Sequence, residues 1–219
     1  MKTISIDARL KEIASLIEPC NAIADVGTDH GYLPIYLIQT NKANLVYASD
    51  IAIGPWNSAL ANIEKYKLND KITTILSNGL ENVPNVDTVI MAGMGGNLII
   101  DILKKSKKNI NTFILQANNN INTLREYLTN NNYKIIDESM AFAHGKYYEI
   151  IKAIKGYQKL SNIEVEYGPI NLKKKPTLFI AKWEEILNRY QSIIIDFKGS
   201  TEEHKRLSDK IQEIESIIK

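Results

Sequence analysis

Five strand-length apolar runs, at residues 21–26, 44–49, 71–76, 86–92 and 112–116, constrain this chain more than any other feature. Helical periodicity at 32–39, 55–67, 97–104 and 121–130 separates most of them. Strands that alternate with helices predict a parallel sheet covered on both faces by right-handed crossovers. An amphipathic helix over 7–17, with Leu10, Ile13, Ala14 and Ile17 on one side, precedes the first strand. The pattern changes at 133–142 and 146–155, two strand-like segments joined by the turn Ala143-His-Gly. They predict a hairpin that sets one antiparallel strand into the parallel sheet.

Beyond Gly156 the strands stop. Tyr167-Gly-Pro-Ile reads as a break, and Lys173, Lys174 and Lys175 form a basic stretch. Ile180, Trp183, Leu187, Tyr190, Ile194 and Phe197 then step by three and four, as do His204, Leu207, Ile211, Ile214 and Ile218. The turn between them begins at Lys198 and carries a capping-box pattern at Ser200 and Glu203. These seams predict an antiparallel coiled-coil hairpin, with domains at 1–156 and 157–219. An intramolecular hairpin and a dimer seam share this pattern, so the expected state is a monomer or weak dimer.

Composition narrows the class. Of 219 residues, 44% are apolar and 24% charged, and the formal net charge is only +2, as in an ordinary globular protein. The chain has 35 Ile, 22 Asn and 23 Lys against 4 Arg, all abundant types with A/T-rich codons, so lysine content alone does not indicate nucleic-acid binding. A single Cys20 excludes an internal disulfide, disfavours a cysteine-based metal site and suits a reducing cytoplasm. Residues 1–19 mix charge into an amphipathic pattern unlike a signal peptide, and no apolar run is long enough for a membrane span.

The loop after the first strand reads ADVGTDHGYLP, from Ala24 to Pro34. A dinucleotide fingerprint needs glycine where Asp29 and Tyr32 stand. Asp29 would repel a pyrophosphate, but it suits S-adenosylmethionine (SAM), which has no phosphate and carries a sulfonium. Asp25 precedes Gly27 as an acid able to fix the loop or meet an ammonium group. Asp50, closing the second strand beside Ile51, can accept bonds from both ribose hydroxyls. Asn78, beside Gly79, offers an acceptor to an adenine amine. Gly93, Gly95 and Gly96, interrupted by Met94, clear space at the fourth strand's end, where ligands of α/β sheets bind. Gln116 and Asn118 follow the fifth strand and can either read a base edge or shape a turn.

That fourth loop lacks the [DN]-P-P-[YF] motif common in exocyclic-amine methylation, and Cys20 lies away from it. What remains is attack by an already nucleophilic lone pair such as adenine N1. Asp29 is the candidate carboxylate beside the developing cation, with His30 as an orienting or proton-handling group.

In order, ADVGTDHGYLP, ASDIAIGPWNSA, SNGLE, MAGMGGNLI, LQAN and HGKYYEI resemble the bacterial tRNA (adenine(22)-N1)-methyltransferases, the TrmK family, over residues 7–155. The resemblance implies a class I SAM-dependent, Rossmann-like sheet with the helical hairpin as its C-terminal domain. It implies that Asp25, Gly27, Asp29, His30, Asp50, Ile51, Asn78, Gly79 and Gly93 line the cofactor pocket. Met94, Gly95, Gln116 and Asn118 would border the target base, without a metal. Lys173, Lys174, Lys175, Lys182 and Arg189 would neutralise tRNA phosphates. Asp50, Asn78 and Ala117 depart from the Glu, Asp and Pro usual in the family, but the first two keep an acceptor. Two other readings fit the residues: a methyltransferase for another RNA, a protein or a small molecule, and a non-catalytic SAM-binding module.

Overall fold

The structure is a computed structural model, and it describes residues 3–195, 197 and 199–219. Lys198, placed in the hairpin turn by the sequence, lies outside the described residues, as do Met1, Lys2 and Asp196.

The first helix, α1 (Ala8–Ser15), is capped by Asp7, whose carboxylate accepts the Leu10 N–H at 2.7 Å. Then follow β1 (Cys20–Val26), α2 (Tyr32–Gln39), β2 (Ala43–Asp50), α3 (Ile53–Lys65), β3 (Ile72–Leu76), β4 (Thr88–Met94), α4 (Gly96–Lys105), β5 (Thr112–Ala117), α5 (Ile121–Asn130), β6 (Tyr133–Ala143) and β7 (Lys146–Lys155). The strands form one seven-stranded sheet in the order β3-β2-β1-β4-β5-β7-β6. Its members run parallel except β7, which is antiparallel to β5 and to β6. The expected hairpin therefore closes the sheet and supplies its single reversed strand.

Strand periodicity of two explains why the central runs are apolar at every position. Ile23, Ile90, Ile114 and Ile150 point into a core shared with α1, α2 and α3. Their neighbours Ala24, Val89, Met91, Phe113, Leu115 and Ile151 point into a second core with α4 and α5.

Past the sheet, α6 (Asn162–Tyr167) begins at a capping box of Ser161 and Glu164. It stays with the sheet because of Arg125, a fully buried side chain of α5. Arg125 Nε donates to Glu138 at 2.8 Å and Nη2 to Glu149 at 2.5 Å, while Nη1 reaches the carbonyls of Val165 and Glu166 at 3.2 Å. Gly168, at φ +89°, passes so close that a Cβ there would lie 2.5 Å from a Glu138 oxygen. The first compact unit runs to Ile170. Residues 157–170 lack strand character, but the buried cation holds them to the sheet.

The second unit starts at Asn171. A short helix, α7 (Pro169–Lys174), crosses the boundary, followed by α8 (Thr177–Ile195) and α9 (Thr201–Ile218). Ser200 and Glu203 form the expected capping box. Gln191 of α8 donates to Glu215 of α9 at 3.2 Å, and Trp183, Leu187, Ile214 and Ile217 are buried. His204 lies in the first turn of α9, exposed, with its ring facing Phe197 of the other seam.

Candidate active site

The carboxyl edge of the parallel strands holds a cavity of about 450 Å³, within the range of small-molecule sites. Its walls come from α1, the loop after β1, the end of β2, the entrance of α3 and the end of β4.

The β1 loop is folded onto β2: Gly27 and Thr28 both donate their N–H to the Ser49 carbonyl, at 2.8 and 3.0 Å. Gly27 holds φ +77°, and a Cβ there would collide with the Met94 methyl group. The Met94 side chain can swing aside, so it is the left-handed backbone that favours glycine there. Asp25 is almost fully buried beneath the loop and accepts the Thr28 hydroxyl at 2.8 Å. Burial raises its pKa to about 6; the Thr28 bond and the Arg9 charge pull against that rise, and Asp50 adds to it. Asp50 accepts the N–H of Ala52 at 3.0 Å on one oxygen and that of Asp29 at 3.2 Å on the other. Each oxygen keeps a further lone pair for a hydroxyl.

Asp29 itself has φ +55° and is exposed. Its N–H bond to Asp50 ties its backbone to the end of β2, and its side chain lines the same cavity as Gly93. His30 brings Nε2 to 3.7 Å from the Asp29 carboxylate and stacks on Tyr32 at 5.3 Å.

At the other end, β4 bulges between Ala92 and Met94. Gln116 pins the bulge: its Oε1 accepts the Gly93 N–H at 3.0 Å and Arg9 Nη1 at 2.9 Å, and its Nε2 donates to Asn118 at 3.0 Å. Asn118 returns a bond from Nδ2 to the Gly93 carbonyl at 2.8 Å, and its N–H donates to Met94 O at 2.7 Å. Gln116 is fully buried, with both ends of its amide engaged. It therefore holds the glycine loop in place.

The structure thus gathers Asp25, Gly27, Asp29, His30, Asp50 and Gly93 around one cavity. Met94 reaches back to Gly27, and Gly95 caps α4. Ile51 is exposed beside Asp50. Asn78 lines a separate cavity of about 330 Å³ under α4, where its amide donates to Glu81 at 3.1 Å. The adjoining Gly79 turns its carbonyl to the Ser77 hydroxyl. Lys173, Lys174 and Lys175 are exposed in the second unit.

Sequence reasoning missed Arg9, Tyr32, Leu33 and Pro55, all of which line the larger cavity. A signal for Arg9 existed. With 23 lysines against 4 arginines, an arginine on a short helix stands out as a side chain whose planar, five-donor head is required. Arg125 is the same case in the core.

A deep cavity with buried and half-buried carboxylates and a closely packed glycine turn suits a cationic nucleoside better than a pyrophosphate. The sequence profile of tRNA (adenine(22)-N(1))-methyltransferase, TrmK, matches residues 23–216. The tRNA (adenine(22)-N(1))-methyltransferase of Bacillus subtilis is 33% identical over 100% of this chain and 99% of its own. The chain belongs to the TrmK family. Solved structures agree with that membership. A Streptococcus pneumoniae candidate tRNA (m1A22) methyltransferase in complex with SAM superposes with a TM-score of 0.88 at 34% identity, covering 98% of this chain and 100% of that one. TrmK of M. capricolum in complex with S-adenosyl-homocysteine gives 0.85 at 36% identity, covering 97% of each chain.

Proposed function

We infer that this TrmK chain transfers the methyl group of SAM to N1 of adenine 22 in tRNA. The observation that carries the reading is a single cavity bounded at one end by the Asp50 carboxylate and at the other by the pinned Gly93 loop. SAM supplies an electrophilic methyl on a sulfonium when bound. Asp50 fits its ribose hydroxyls, Asp25 fits its ammonium group, and the packed Gly27 turn leaves no side chain in the way. Asp29 lines the same cavity, where its carboxylate suits the sulfonium and the adenine acquiring charge, with His30 as the orienting group beside it.

Adenine N1 carries its own lone pair, and no base has to deprotonate it first. The residues around Gly93, Met94 and Gly95 therefore contribute alignment, fixed in advance by Gln116 and Asn118. No metal ion is needed for such an attack. The adenine must leave its stack to enter the cavity, at a cost of a few kcal/mol. Lys173, Lys174, Lys175, Lys182 and Arg189 of the C-terminal unit neutralise tRNA phosphates in this reading. The enzyme acts in the cytoplasm as a monomer or weak dimer. A half-buried free Cys20 supports that compartment; among the described residues no helix is long and apolar enough to cross a membrane.

Incubation with labelled SAM and unmodified tRNA, followed by digestion to nucleosides, tests the reading. Label in 1-methyladenosine is expected; label confined to protein, small molecules or another nucleoside would refute it.

A further inference from the structure

The tip of the β6–β7 hairpin takes no part in the cofactor site described above. β6 runs in the direction of β5, so Phe142, His144, Lys146 and Tyr147 emerge beyond the carboxyl end of β5, on the side of the sheet away from β2. Phe142 and Tyr147 face each other across the hairpin, with ring centres 4.8 Å apart. Phe142 is 46% exposed despite being wholly apolar, and Lys146, paired with Ala143, is exposed at the same tip.

The tip is also braced from the cavity side. His144 Nε2 lies 3.3 Å from the carboxylate of Asp7, which caps α1. Two residues later, the Arg9 guanidinium sits 5.5 Å from the centre of the Tyr148 ring while bonding Gln116. One side chain thus joins the glycine-loop end of the cavity to the hairpin. Glu12 of α1 bonds Ser139 further down the same strand.

An exposed Phe142 ring packed on the half-buried Tyr147 ring, with Lys146 at the same hairpin tip, fits a single-stranded nucleotide, whose base stacks on rings and whose phosphate meets a cation. Asp7, the acid of α1 at this tip, is engaged by His144 and by the Leu10 N–H. Extruding a base from tRNA leaves its flanking nucleotides near the mouth of the cavity. We propose that this tip is an RNA-contact element of the catalytic unit: Phe142 and Tyr147 stack on an unpaired nucleotide flanking the extruded adenine, and Lys146 meets its phosphate. The proposal rests on the tRNA reading above.

The test uses the full chain, unmodified tRNA and SAM. Joint Phe142→Ala and Tyr147→Ala substitution is expected to weaken tRNA binding about tenfold or more, the loss of one stacked base, with SAM affinity within about twofold of the parent. Lys146→Ala is expected to lower the salt slope of tRNA binding by about one. Phe142→Trp keeps a stacking ring; its affinity should match the parent, and tRNA should quench its added indole emission. Parent-like tRNA affinity in the double alanine variant overturns the proposal. So does an absence of added quenching in Phe142→Trp, which decides the matter if the alanine variant does not fold. A parent enzyme that methylates no tRNA would instead overturn the reading beneath.

Discussion

Asp25 concentrates the electrostatics of the site in one residue. Its folded-state pKa of about 6 lies above the ordinary 3.8, mainly because burial disfavours the charged form. The sign follows by linkage. The carboxyl contributes stability below about pH 4, and that contribution is lost as the pH rises through about 6. At neutral pH the cofactor-free protein therefore carries a penalty of about 3 kcal/mol, an order-of-magnitude figure. A cation seated beside Asp25 offsets that penalty. SAM affinity is accordingly expected to rise between about pH 5 and about pH 7, with proton release seen by calorimetry in buffers of differing ionisation enthalpy. Asp25→Asn should raise the melting temperature of the free protein and weaken SAM binding about tenfold. Equal SAM affinity in parent and variant would show that Asp25 only holds the loop.

At the scale of elements, α1 and the glycine loop work through Gln116. Gln116→Leu keeps the volume but frees Gly93 and Arg9, so kcat is expected to fall about tenfold or more with SAM affinity little changed. A fall in SAM affinity alone would place the bulge in cofactor binding. Arg125 is the other organising side chain, and Arg125→Met strands two buried carboxylates. A loss of about 3–5 kcal/mol in denaturant unfolding is expected. The elements themselves were legible because their periods are strong: the β1, β4 and β5 runs are apolar at every step, and Ser200 with Glu203 announces a helix start. Arg125 was not legible as a core residue. A cation between two strand carboxylates reads, in a linear sequence, like any surface charge on an amphipathic helix. The same blindness covers Arg9 and Gln116, whose partners lie 107 residues apart in the chain.

At the scale of the molecule, the division after Ile170 sets the unit that holds the cavity apart from the unit whose lysines are proposed to meet tRNA phosphates. A chain ending at Ile170 keeps every Arg125 partner, so it is expected to fold and bind SAM but to lose most tRNA affinity. A chain ending at Gly156 loses the Val165 and Glu166 carbonyls and should melt several degrees lower. Comparing the two by thermal unfolding and tRNA filter binding checks both statements; full tRNA affinity in the 170-residue chain would remove the second unit from RNA capture. The acids of the cavity were legible because Asp25, Asp29 and Asp50 stand at or just past the ends of strands. The site's boundary with the base was not, since the contacts that fix Gly93 come from a different strand and from α1. The most direct test of the central claim is methyl uptake from labelled SAM into two tRNA transcripts differing only at position 22. Uptake at N1 of adenine 22, abolished when guanine replaces it, is expected. Equal uptake by both transcripts would contradict the account.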